Sequence, residues 1–202
     1  SESAVQTDAE SAAGSEAPVE QVEPPKESIA PKIAEHVRND SAQVMLTEPS
    51  VFMAEPYNLT EDELFDVLIE LRENDEFRDI VSTEDERTGE IFMHSEVLIT
   101  VPYAHLMLRK RADDPIYLIV ATVRDESRIY PRSTAASYFE FEPFSLKLED
   151  VLVHVEEILA DEQYSDIHVV KPSNGATYLY SDRYYDEVGA LAHAQWVEVD
   201  MN

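Results

Sequence analysis

The chain has 202 residues, is 44% hydrophobic, lacks cysteine, and carries a formal net charge of −28 from 43 acidic and 15 basic side chains. Disulfides, thiolate metal sites and a cysteine nucleophile are thereby excluded, and no apolar run reaches the ~18 to 20 residues of a membrane-spanning helix. The negative field disfavours ordinary binding to nucleic acid or an anionic membrane surface and suits a solvated acidic surface, adaptation to high salt, or a basic protein partner.

Residues 1–42 read as a disordered acidic tail, because "SESAVQTDAESAAGSEAPVEQVEPPKESIAPK" mixes Ala, Ser, Glu and Pro without an aromatic or a periodic apolar face. The first residues show neither the basic flank nor the apolar segment of a secretory signal, so a cytoplasmic protein is expected. Residues 43–56, "QVMLTEPSVFMAEP", are too apolar for a free linker. Val44, Met45, Leu46, Val51, Phe52 and Met53 predict an extended arm packed on the folded body.

A first unit spans residues 57–112. Leu64, Phe65, Leu68 and Leu71 give an amphipathic helix, which Thr60 and Glu63 start with a capping-box pattern. "EFRDI" then leads into a strand, Gly89 marks a hairpin turn, "GEIFMHSE" supplies a second strand, and Thr100 caps a closing helix, "VPYAHLMLRKR".

Residues 113–143 form an arginine-rich connector with no evident counterpart. The β-branched run from Ile116 to Val123 favours a buried strand, while Asp114-Pro115 is also a sound helix start. Basic residues concentrate between 109 and 132, in and just before this connector: Arg109, Lys110, Arg111, Arg124, Arg128 and Arg132. The planar guanidinium suits bidentate pairing with carboxylate or phosphate. These arginines either neutralise neighbouring acidic helices and clamp the units together, or form an anion pocket from Arg124, Arg128, Arg132 and Tyr130.

The second unit, 144–202, repeats the grammar of the first. Val151, Leu152, Val155 and Ile158 form the helix stripe, with Ser145, Glu149 and Asp150 at its start; "QYSDI" answers "EFRDI". Asn174-Gly175 predicts a type I′ hairpin, "GATYLYSD" answers "GEIFMHSE", and Asp186 caps "EVGALAHAQW". The fold class expected is therefore α+β: two related αββα units packed as a pseudo-twofold pair behind a disordered acidic tail.

Chemistry-bearing motifs are sparse. There is no H-E-x-x-H, glycine-rich phosphate loop or G-x-S-x-G, and His154 beside Glu157 is at most half of a metal site. No catalytic residue, metal or cofactor is assigned. Tyr180, Tyr184, Tyr185 and Trp196 form a wetter aromatic group than the first unit offers, and suit a partner surface. The function expected is a non-catalytic protein-interaction or regulatory module with a protein partner. The alternative is a small-molecule anion sensor or enzyme at the arginine junction.

Overall fold

The computed structural model describes Gly14 and residues 25–201; the tail expectation over 1–13 and 15–24 lies outside the described residues. Two runs of the same elements follow one another. The first comprises α1 (Ala30–Ala42), a 3-10 turn at Pro49–Met53, α2 (Glu61–Glu73), a 3-10 turn at Asp75–Phe77, β1 (Ile80–Glu84), β2 (Ile91–Ser95) and α3 (Val101–Arg111). The second comprises α4 (Pro115–Ile129), β3 (Thr134–Ala135), a 3-10 turn at Ala136–Glu140, α5 (Leu148–Ala160), a 3-10 turn at Glu162–Tyr164, β4 (Ile167–Val170), β5 (Tyr178–Ser181) and α6 (Glu187–Gln195). The chain is α+β and duplicated, but its repeat is longer than the predicted αββα unit.

Each repeat opens with a helix where the sequence predicts a tail or a strand. Residues 30–42 are not tail. Ala30, Ile33, Ala34 and Val37 form a fully buried face of α1 at helical spacing. Two alanines on that face make it faint in hydropathy, and Pro31 is tolerated because it falls in the first turn. Residues 116–123 are not a strand. The Asp114 side chain accepts from the Tyr117 amide, Pro115 opens the first turn, and Leu118, Ile119, Val120 and Val123 are buried within α4. Burial on several sides lets a β-branched run remain helical.

The arm is also part of a repeat, and it is not extended throughout. Thr47 exchanges backbone hydrogen bonds with Met93 at 2.9 and 2.8 Å, which makes it a one-residue version of β3, itself paired to β5. Phe52 is buried within the 3-10 turn that follows, edge-on to Tyr57, and Phe139 occupies the corresponding place in the second repeat. Both sheets therefore have one order: β1–β2 flanked by the Thr47 bridge, and β4–β5–β3.

The second helix of each repeat buries one stripe, Leu64, Val67 and Leu71 in α2 and Val151, Val155 and Ile158 in α5. Phe65 and Leu152 lie outside it, exposed. Helix α5 starts at an N-cap of Lys147 rather than at Ser145, whose φ of 50° matches that of Asn58 before α2. The second hairpin is not a two-residue type I′ turn, because its last pair is Val170 with Tyr178. Pro172 begins a turn closed by the Gly175 amide at 2.9 Å, and only Gly175 takes positive φ there; the Asn174 side chain instead accepts from the Ala176 amide.

Each repeat has its own core. One gathers α1, Phe52, α2, Phe77, Ile80 and Met93; the other gathers α4, Phe139, Phe144, α5, Ile167 and Leu179. The repeats meet where α3 packs against α4. A face-to-face twofold would bring like elements together, so the expected pseudo-twofold pairing is replaced by a tandem arrangement in which the last helix of one repeat lies on the first helix of the next.

Candidate functional site

The predicted anion-site arginine Arg124 belongs to a clamp that occurs twice. Its Nε and Nη2 donate to the two carboxylate oxygens of Asp166 at 3.0 and 2.7 Å. The Ser181 hydroxyl donates to the same carboxylate at 2.7 Å, and the Ser181 amide donates to Ser127 Oγ at 3.0 Å. In the first repeat Arg38, Asp79, Ser95 and Ser41 reproduce every contact, at 3.0, 2.5, 2.8 and 2.9 Å. Each clamp ties the opening helix of its repeat to the hairpin. Burial pushes the Asp166 carboxyl up, but hydrogen bonds from Arg124 and Ser181 outweigh it and bring the pKa down to about 2. Asp79 is lowered chiefly by its hydrogen bonds from Arg38.

The other predicted anion-site residues follow Arg124 along α4 and its exit. Arg128 pairs with Asp125 at 3.0 Å, and Arg132 pairs with Glu126 while lying 4.5 Å over the Tyr130 ring. The three guanidiniums thus face three different carboxylates of the chain itself. Tyr130 and Arg132 do line one cavity of about 220 Å³ between α3 and α4, together with Arg109, His105, Thr122 and Tyr138. Arg109, outside the anion site that the sequence predicts, is the most deeply buried arginine of the cavity. Burial opposes its charge, yet contacts with Asp125 and Glu86 hold its pKa above the ordinary value. Its Nε and the Thr122 hydroxyl are buried without a hydrogen-bond partner.

The face that α3 turns to α4 includes Val101, Pro102, His105, Leu106 and Arg109. The corresponding residues of α6 are Glu187, Val188, Leu191, Ala192 and Gln195, and these line an open concavity of about 590 Å³ with Lys171 and Ser173. In the second repeat no described helix takes the place of α4. Val188 is 81% exposed and Leu191 40%. Gln195 is fixed by Ser173, whose amide donates to its Oε1 at 2.8 Å and whose hydroxyl accepts from its Nε2 at 2.9 Å.

The aromatic group predicted for a partner divides in two. Tyr180 is buried in a small cluster with Ala190 and Ala194, and Tyr185 packs against it. A side chain at Gly189 would meet the Tyr185 ring at 2.7 Å, so glycine in this helix makes room for that ring. Tyr184 and Trp196 remain exposed, Trp196 immediately beyond Gln195.

Among the described residues no three His, Asp or Glu side chains converge as metal ligands do, and no helix is long and apolar enough to cross a membrane. Comparison with known proteins agrees with the repeat boundaries. The chain is 26% identical over 168 residues to the uncharacterised protein YdhW of Escherichia coli strain K12, which covers 83% of this chain and 77% of that protein. No solved structure matches. The sequence profile of the YdhW C-terminal domain matches twice, at residues 27–112 and 113–202, so that α1 and α4 each fall at the start of a copy. The chain belongs to the YdhW C-terminal domain family and carries that domain in tandem.

Proposed function

We propose that this chain is a non-catalytic protein-interaction module whose docking surface is the outer face of α6, occupied by the same face of a second copy. The observation carrying the reading is internal to the molecule: the corresponding face of α3 is covered by a helix, whereas that of α6 presents Val188, Leu191 and Ala192 to solvent. Apolar area left open on the closing helix of a repeat is a place where another chain gains by packing.

Two features favour the same face of a second copy over its α1. The outer side of α1 presents Lys32, Glu35 and Asn39, all exposed, and burying them would strip charges of water without compensation. The α6 face carries its charges at its margins. Glu187 lies in the first turn, and Lys171 lies two residues before Ser173, which holds Gln195 at the opposite end. An antiparallel twofold pair of α6 helices therefore sets Lys171 of each copy toward Glu187 of its mate. The acidic net charge by itself suggests a basic partner; this face, with one residue of each sign at its ends, does not require one.

Sedimentation velocity over a wide concentration range tests the reading. The full chain is expected to form a dimer, and Leu191→Glu to run as a monomer with unchanged circular dichroism. A full chain that stays monomeric at every concentration, or a variant that dimerises equally well, would overturn it.

A further inference from the structure

A concavity of about 710 Å³ lies in the first repeat between α2 and the β1–β2 hairpin. Its wall is apolar, built from Phe65, Leu68, Ile69, Ile80, Ile91 and Met93, and no carboxylate of the described residues lines it, in a chain rich in acidic side chains. Phe65 is 63% exposed, an unusual position for a large apolar ring unless something covers it. The two basic residues of the lining are Arg72 and Arg78.

These two arginines differ from all the others described. Arg38, Arg87, Arg109, Arg111, Arg124, Arg128, Arg132 and Arg183 each hold a carboxylate within 4.0 Å. The side chains of Arg72 and Arg78, both exposed, take part in no ion pair or hydrogen bond among the described residues. In so acidic a molecule, two guanidiniums without a partner beside the same apolar groove form a local positive site. The demands of folding do not explain them, because the second repeat folds in the same way with Leu159 and Ser165 at the corresponding positions and Glu156 in place of Ile69.

We infer that this groove binds a small amphipathic carboxylate. Its hydrocarbon or aryl part lies on Phe65, Ile69 and Ile91, and its carboxylate is held by Arg72 and Arg78. The volume falls in the range of small-molecule sites, which combine apolar walls with a few polar groups that fix orientation. The guanidinium fork matches a carboxylate in both geometry and charge. The anion expected at the arginine-rich α3–α4 junction is thus better served here, where the arginines hold no carboxylate among the described residues.

Isothermal titration of the full chain with octanoate, octanol and octylamine tests this assignment. Octanoate is expected to bind about tenfold or more tightly than octanol, with octylamine weaker still. The double variant Arg72→Leu/Arg78→Ser, which installs the residues of the second repeat, is expected to erase the preference for octanoate without changing octanol binding. Ile69→Glu is expected to abolish both. All three positions are exposed, so the fold is retained, and circular dichroism checks that. Absence of octanoate binding, equal affinity for octanol, octanoate binding undiminished in the double variant, or tight binding of an acidic peptide where octanoate fails would each overturn it.

Discussion

Asp166 accepts from two groups of Arg124 and from the Ser181 hydroxyl while only 5% exposed, so a charge is held where an unpaired one would be costly. Its folded pKa of about 2 lies below the ordinary 3.8. The stabilisation it provides is therefore complete above about pH 4 to 5 and is lost as pH falls through 2, and a shift of this size is worth about 2 kcal/mol. Asp79 acts in the same direction. His94 adds an earlier loss. It is buried, with Nδ1 donating to the Ile99 carbonyl and Nε2 accepting from Thr83, and burial lowers its pKa, so its contribution is full above the ordinary histidine value and falls as pH drops below about 6.5. Urea midpoints should fall in two stages, in mild and then in strong acid. Asp166→Asn should lose about 3 kcal/mol at pH 7 and flatten the second stage, because it removes the charge while leaving Arg124 partly buried; an unaltered acid profile would contradict this. The clamp was legible in principle, as "VRNDS" at 37–41 and "VRDES" at 123–127 hold Arg38, Ser41, Arg124 and Ser127. Its halves sat in stretches read as tail and connector, so nothing linked them to Asp79 and Asp166.

The two α2-type helices share a packing stripe but differ at the start. Thr60 and Glu63 make a reciprocal capping box before α2, whereas α5 begins at Lys147 with no side-chain cap, a cation beside the positive end of the helix dipole. Thr60→Ala should destabilise the protein by about 1 kcal/mol, and Lys147→Thr should stabilise it by about 0.5 to 1 kcal/mol. Chemical denaturation measures both, and a stabilising Thr60→Ala or a neutral Lys147→Thr would contradict this account of the helix starts. The sequence was informative for elements with a strong, one-sided apolar period or a clear cap, as in α2, α3, α5 and α6. It was misleading for α4, whose buried residues surround the helix and so resemble a buried strand, and for α1, whose buried face relies on alanine. The second hairpin was misjudged because the Asn174 side chain and Pro172 shape a longer loop than the Asn-Gly pair implies.

In the whole molecule, two copies of one domain stack so that each has a first helix and a last helix, and among the described residues a helix covers the last helix of the first copy but not that of the second. The outer side of α1 is polar, while the outer side of α6 is apolar. The duplication was legible from matched phrases and capping positions. The open surface was not, because it depends on what α3 touches, and the sequence reading had assigned its cover, α4, to a connector. Tyr180 and Tyr185, expected on a partner surface, pack beneath α6, on the opposite side from Val188 and Leu191, which are exposed. The most direct test of the account is sedimentation equilibrium on a charge-reversal pair. Lys171→Glu should weaken the dimer at low salt, and Lys171→Glu combined with Glu187→Lys should restore it. A wild-type monomer, or a dimer indifferent to both changes, would contradict the proposed twofold contact.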